Sequence, residues 1–122
     1  MNVQTHEDLW GQPPDFRRDR MAVAFVTSLV SMVMDVPVQD IVARRRTTAA
    51  GARARQTAIY LAHVVLAWPL WKVAAAFGRD RSTASHAIHA IEDLRDDAVF
   101  DERLTVMEAC VRQASESQQA AA

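Results

Sequence analysis

The 122 residues are 50% apolar and 24% charged, a composition that packs one globular domain and excludes both a disordered tail and two comfortable domains. A single cysteine makes no internal disulfide and fits a reducing cytoplasm, and folding at this size buries roughly two-thirds of the unfolded surface, so no staple is required. The formal charge of −1 does not exclude a polyanionic partner, because it is the balance of residues 1–40 at −3, residues 41–90 at +7 and residues 91–122 at −5.

Residues 1–18 contain Gly11, Pro13 and Pro14 and no helical period, which predicts a flexible arm. A helix follows from about Asp19 to Asp35. Its fourteen apolar-rich residues Met21 to Met34 follow Arg17, Arg18 and Arg20, superficially like a signal peptide. A polar segment precedes those arginines and no small-residue cleavage site follows. The run also stops well short of the ~20 residues of a membrane span. It reads as a buried helix central to the core, with Met21, Met32, Met34 and Met107 as core fillers.

Val36-Pro37 breaks that helix, and Val38 to Arg45 forms a short one with Ile41 and Val42 inward. Arg44-Arg45-Arg46-Thr47-Thr48 is a basic connection. A long helix from about Ala50 to Ala67 carries Ala58, Leu61, Ala62 and Val65 at 3-4 spacing. Pro69 opens a helix over Leu70 to Phe77, Gly78-Arg79 turns, and Asp80 caps a helix from Arg81 to about Arg95. On it Ala84, Ala87, Ile88, Ile91 and Leu94 make one apolar stripe. A last helix from about Phe100 to Ala114 buries Leu104, Met107 and Val111, and the low-complexity residues 115–122 form a disordered tail. No segment alternates with period two, so the fold class is all-α: a compact multi-helix domain over residues 19–114.

The short helix, the turn at Gly78 and the helix after it have the proportions of a helix-turn-helix. The second helix of such a unit offers its first turn to the major groove. Here that turn reads Arg79-Asp80-Arg81-Ser82-Thr83, with groups that can read base edges. A capped, solvated helix corner is the plainer alternative. The +7 stretch favours nucleic acid, and arginine's planar fork suits phosphate and guanine better than lysine does.

Three segments also resemble the C-terminal DNA-binding domain (domain IV, Trp-repressor-like) of the bacterial replication initiator DnaA. They are Val38-Gln39-Asp40-Ile41-Val42-Ala43-Arg44-Arg45-Arg46, Arg53-Ala54-Arg55-Gln56-Thr57-Ala58-Ile59-Tyr60-Leu61-Ala62 and Ala76-Phe77-Gly78-Arg79-Asp80-Arg81-Ser82-Thr83. The last is similar to the family's F-G-G-R-D-H-T-T. The resemblance runs in order over residues 20–114. It implies a major-groove role for Arg79, Asp80, Arg81, Ser82, Thr83 and His86. It implies backbone positioning by Arg53, Arg55 and Gln56, and a minor-groove reach from Arg44, Arg45, Arg46 and Thr47. The sequence departs from the family in four respects: Arg81 replaces its His, with Ser82 for its first Thr; Thr47 falls on its minor-groove arginine; one glycine of the G-G pair is missing; and Trp71 replaces a proline. The missing glycine should alter how the two helices are set, and the family's usual DNA box should not be recognised unaltered. No G-x-x-x-x-G-K-[ST] occurs in the 122 residues, so ATP hydrolysis is not expected.

Other constellations point to chemistry less well. His86 and His89 lack a third metal ligand at suitable spacing, and Asp80, Ser82, Ser85 and His86 have no separate base or oxyanion site. No enzyme activity, cofactor or small-molecule substrate is expected, and Cys110 reads as inert. The acids Glu92, Asp93, Asp96, Asp97, Asp101 and Glu102 read as a solvated face. In the arm, His6-Glu7-Asp8-Leu9-Trp10 weakly resembles sliding-clamp-binding peptides, with Leu9 and Trp10 as anchors. Two functions follow as expectations. One is a stand-alone DNA-binding protein of the cytoplasmic nucleoid that regulates replication initiation or transcription. The other is a protein-interaction module that contacts the initiator, its inactivation machinery or the sliding clamp.

Overall fold

The computed structural model describes residues 16–45 and 48–121, and among these the chain is helical throughout, with short connections. The helices are α1 (Phe16–Met34), α2 (Val38–Val42), α3 (Ala49–Val64), α4 (Leu70–Ala76), α5 (Arg81–Leu94) and α6 (Ala98–Ala121). The all-α expectation holds.

The centre of the fold is α3 and not α1. Ala54, Ala58 and Ala62 recur every fourth residue, and these small side chains let neighbouring helices approach closely. Ile59, Tyr60 and Leu61 are buried on its remaining faces. α1 buries Val26, Thr27, Leu29 and Val30, but Met21 is 57% exposed and Met32 74% exposed. Two of the methionines expected in the core are therefore on the surface. A uniformly apolar helix carries no period to say which face turns inward.

Backbone geometry explains where the helices stop. α1 ends at Asp35 (φ 57), after which the Val36 amide donates to the Ser31 carbonyl at 3.1 Å. α3 ends at Val64, three residues before the expected Ala67. Ala67 itself takes a left-handed φ of 59, and the Trp68 amide reaches back to the Ala62 carbonyl at 3.2 Å. His63 Nδ1 donates to the Trp68 carbonyl at 2.9 Å and holds the turn closed. Such closures satisfy the carbonyls a helix end leaves over. α2 is shorter than expected, with Arg44 and Arg45 already outside it.

α6 begins where Asp97 Oδ1 accepts from the amides of Val99 and Phe100 at 2.9 and 3.1 Å. Leu104, Met107 and Val111 are all buried, as the spacing predicts, and each such side chain contributes roughly 1.5–3 kcal/mol. The helix then continues to Ala121, through the residues read as a disordered tail. Nothing in Ser115–Ala121 stops a helix, since Glu, Gln and Ala are good formers and no glycine or proline intervenes. Phe16 likewise begins α1 three residues before the expected start, inside the segment assigned to the arm.

Among the described residues, one buried side-chain polar atom lacks a partner. Thr27 Oγ1 is buried without a hydrogen bond, whereas the buried Thr57 hydroxyl donates to the Arg53 carbonyl at 2.9 Å. Thr27→Val should therefore raise unfolding free energy by about 1–2 kcal/mol, the cost of a buried unsatisfied hydroxyl. A urea titration that finds Thr27→Val neutral or destabilising would contradict that assignment. Among the described residues no helix is long and apolar enough to cross a membrane.

Candidate nucleic-acid interface

The helix-turn-helix expectation locates α4, the turn and α5 within a residue at each end. Gly78 sits at φ 65, where any side chain is strained, and the Arg79 amide closes the turn on the Ala74 carbonyl at 2.9 Å. Phe77, just before Gly78, lies at φ −98, ψ 6, a conformation open to ordinary residues.

Asp80 caps α5 as the sequence predicts. Its Oδ1 accepts from the Thr83 amide at 2.8 Å and from the Ser82 hydroxyl at 2.9 Å. The carboxyl is held below its ordinary pKa, first by the Thr83 amide and then by the hydroxyls of Thr83 and Ser82. A lowered folded-state value means that the cap's contribution is complete above the unfolded value of about 3.9 and is lost as pH falls through the lower folded value. An NMR titration of the Asp80 carboxyl carbon should have its midpoint below ~3.9; a midpoint at or above it would refute this account of the cap. Both bonds fall on Oδ1, and no bond or ion pair joins Asp80 to the Arg81 guanidinium. Arg81, Ser82 and Thr83 are exposed on the first turn of α5, and His86 is exposed on the second.

The connection between α2 and α3 lies against this turn. A Cβ built on Gly78 would stand 3.5 Å from Arg44 Nη1, so the Arg44 guanidinium covers the turn. Arg79 Nη2 donates to the Ala43 carbonyl at 2.6 Å, and Arg55 donates through Nε to the Ile41 carbonyl at 3.0 Å and through Nη2 to Ala43 at 3.4 Å. Two guanidinium groups thus converge on one carbonyl. Burial lowers the Arg55 pKa, and the Arg79 charge beside it lowers it further. Arg55, expected as a backbone contact for DNA, is engaged by these two carbonyls in the free protein. It is half-buried and braces the connection from within, with Arg79 sharing that task.

Arg53 Nη1 donates to Gln56 Oε1 at 3.0 Å, which joins two further expected residues near the start of α3. Thr48, not singled out from sequence, caps α3 by accepting from the Gly51 amide at 2.9 Å. A threonine just ahead of an alanine-rich run was the available signal. Arg44 and Arg45 precede α3, and Arg79 and Arg81 flank the start of α5, so basic residues stand at both helix N-termini, where the dipole already favours an anion. Trp71 is 57% exposed on the first turn of α4. Arg46, Thr47, Leu9 and Trp10 lie outside the described residues.

Away from this end, His89 Nδ1 bonds the Ser85 carbonyl at 2.8 Å. Among the described residues no group of three or more His, Cys, Asp or Glu is arranged to hold a metal.

Comparison with known proteins agrees with this geometry. A structure described as that of a DNA replication initiation factor superposes with a TM-score of 0.70 at 27% identity, covering 80% of this chain and 30% of that one. The chain thus spans about 30% of the length of that protein. No curated protein matches the chain. A scan against protein families matches residues 23–91, from α1 to the last buried isoleucine of α5, to the family described as bacterial dnaA protein helix-turn-helix. With that span covering more than half of its residues, the chain belongs to the DnaA helix-turn-helix family.

Proposed function

We propose that the chain binds duplex DNA, with the first turn of α5 in the major groove and the connection before α3 along the backbone, and that it regulates replication initiation or transcription at the nucleoid of the cytoplasm. The observation that carries this reading is the placement of Arg44 on the α4–α5 turn, which puts the basic connection and the start of α5 on one surface. The role is one of binding, without catalysis, cofactor or small-molecule substrate. Family membership supports it, as does the net charge of +7 over residues 41–90.

Salt dependence tests it. Log affinity for duplex DNA should fall against log salt with a slope of about −0.9 per phosphate contact. Replacing Arg44, Arg45 and Arg46 together by alanine should flatten the slope by up to ~3 units. Arg55→Ala should leave the slope nearly unchanged, because its guanidinium is turned to the Ile41 and Ala43 carbonyls. Salt-independent binding, or no binding of any duplex at low salt, would overturn the proposal. It would favour a module that contacts the initiator, its inactivation machinery or the sliding clamp.

A further inference from the structure

The apolar residues of α1 fall on two faces. Val26 and Val30 enter the core, whereas Met21, Phe25 and Met32 follow one another at spacings of four and seven along the opposite side and remain exposed. Met21 and Phe25 also form one wall of an open groove of about 490 Å³. Val26, Leu66 and Val111 are among its lining residues, and the far wall is α6 around Ala114. The groove lies along the part of α6 that outruns the core, where Ala114 and Ser115 are only half-buried. Helical turns with so little packing gain from a cover.

The chain supplies a candidate cover of suitable reach. Fifteen residues precede Phe16 and end at the first turn of α1. Met21 and Phe25 stand five and nine residues further on, about 8 and 14 Å along the helix axis. Leu9 and Trp10, the arm's bulkiest apolar pair, precede Phe16 by seven and six residues, an extended reach of about 20–25 Å. In the sequence, Pro13-Pro14 disfavours helix in the residues before it, and Gly11 is a residue type that permits a reversal. The charges also match: Glu7, Asp8 and Asp15 belong to the arm, while Arg17 and Arg20 are exposed at the start of α1.

We propose that residues 1–15 fold back on their own chain and seat Leu9 and Trp10 in the groove between α1 and α6. This occupant is independent of DNA binding, since the groove is lined by none of the residues of the basic surface.

Trp10 emission tests it on the full chain, taken as the difference between each protein and its own Trp10→Phe counterpart. Seated in the groove, Trp10 should emit to the blue of the urea-unfolded chain and be quenched by acrylamide several-fold less. Met21→Glu places a carboxylate in the groove beside the acidic arm. It should return the emission to the red and restore quenching several-fold, with circular dichroism unchanged. Ala114→Glu on the opposite wall should do the same, which separates loss of docking from a local effect at residue 21. Trp10 quenched as freely as in the unfolded chain, or indifferent to both groove variants, would overturn the proposal. So would a blue shift that disappears on dilution, since the arm would then occupy the groove of a second copy.

Discussion

Arg81→Ala should weaken binding to the preferred duplex by about 1–3 kcal/mol, a factor of roughly 5 to 150, and weaken binding to random duplex far less. Arg81 is exposed on the first turn of α5, and the neighbouring Asp80 bonds Ser82 and Thr83 and makes no bond to it. Its guanidinium can therefore donate twice to the O6 and N7 edge of one guanine, which the shorter, less donor-rich histidine of the family turn does not match. A selection from random sequences should return a site that contains this guanine and differs from the initiator's usual box. If Arg81→Ala weakens every duplex equally, or the selection enriches nothing, Arg81 is a phosphate contact and the base-reading role fails. Thermal stability should hardly move, because the side chain supports nothing in the free protein.

Arg95→Met should do the opposite, costing about 2–3 kcal/mol of stability and leaving DNA affinity as it was. Arg95 follows α5 and holds α6 to the rest of the fold. Its Nε donates to Asp101 at 2.6 Å, Nη1 to Glu108 at 2.8 Å and to the Tyr60 hydroxyl at 3.1 Å, and Nη2 to Thr105 at 3.3 Å. The bond to Glu108, first, and those to Tyr60 and Asp101 hold the guanidinium pKa above its ordinary range. Removal leaves the Glu108 side chain, only 13% exposed, without its counter-charge. The partial exposure of Arg95 itself, 29%, keeps the expected loss below that of a fully buried pair. Equilibrium unfolding in urea reads the effect, and a loss under 1 kcal/mol would mean that water replaces these bonds without cost.

These two arginines show how far the sequence could be read. The position of Arg81 was legible because it is local: a cap at Asp80, a turn at Gly78 and a helix start place it within four residues. The stripe of Ala84, Ala87, Ile88 and Ile91 was legible for the same reason, since its period is written in the helix itself. Arg95 was not, because Asp101, Glu108 and Tyr60 lie 6, 13 and 35 residues away and only the packing of three helices brings them together. The bonds of Arg55 to the Ile41 and Ala43 carbonyls were hidden for the same reason. An arginine that braces a carbonyl and one that meets a phosphate have the same letter and the same neighbours, and the direction of the side chain is a tertiary fact. On α1, nineteen residues rich in apolar side chains announced a helix but not its inward face.

The distribution of charge along α5 bears on how the molecule is turned as it meets a duplex. Arg79 and Arg81 stand at its start, while Glu92, Asp93, Asp96 and Asp97, all exposed, stand at and beyond its end, about 21 Å away for a helix of 14 residues. Glu92 and Asp93 sit at the negative end of the helix dipole, where acids are locally unfavourable. Along α5 the charge is accordingly polarised, basic at the start and acidic at the end. Near a duplex the helix experiences a torque as well as a pull, effective over the last ~10 Å before screening removes it. On the proposed mode of binding, this order of charge turns the start of α5 towards the phosphates and its acidic end away from them.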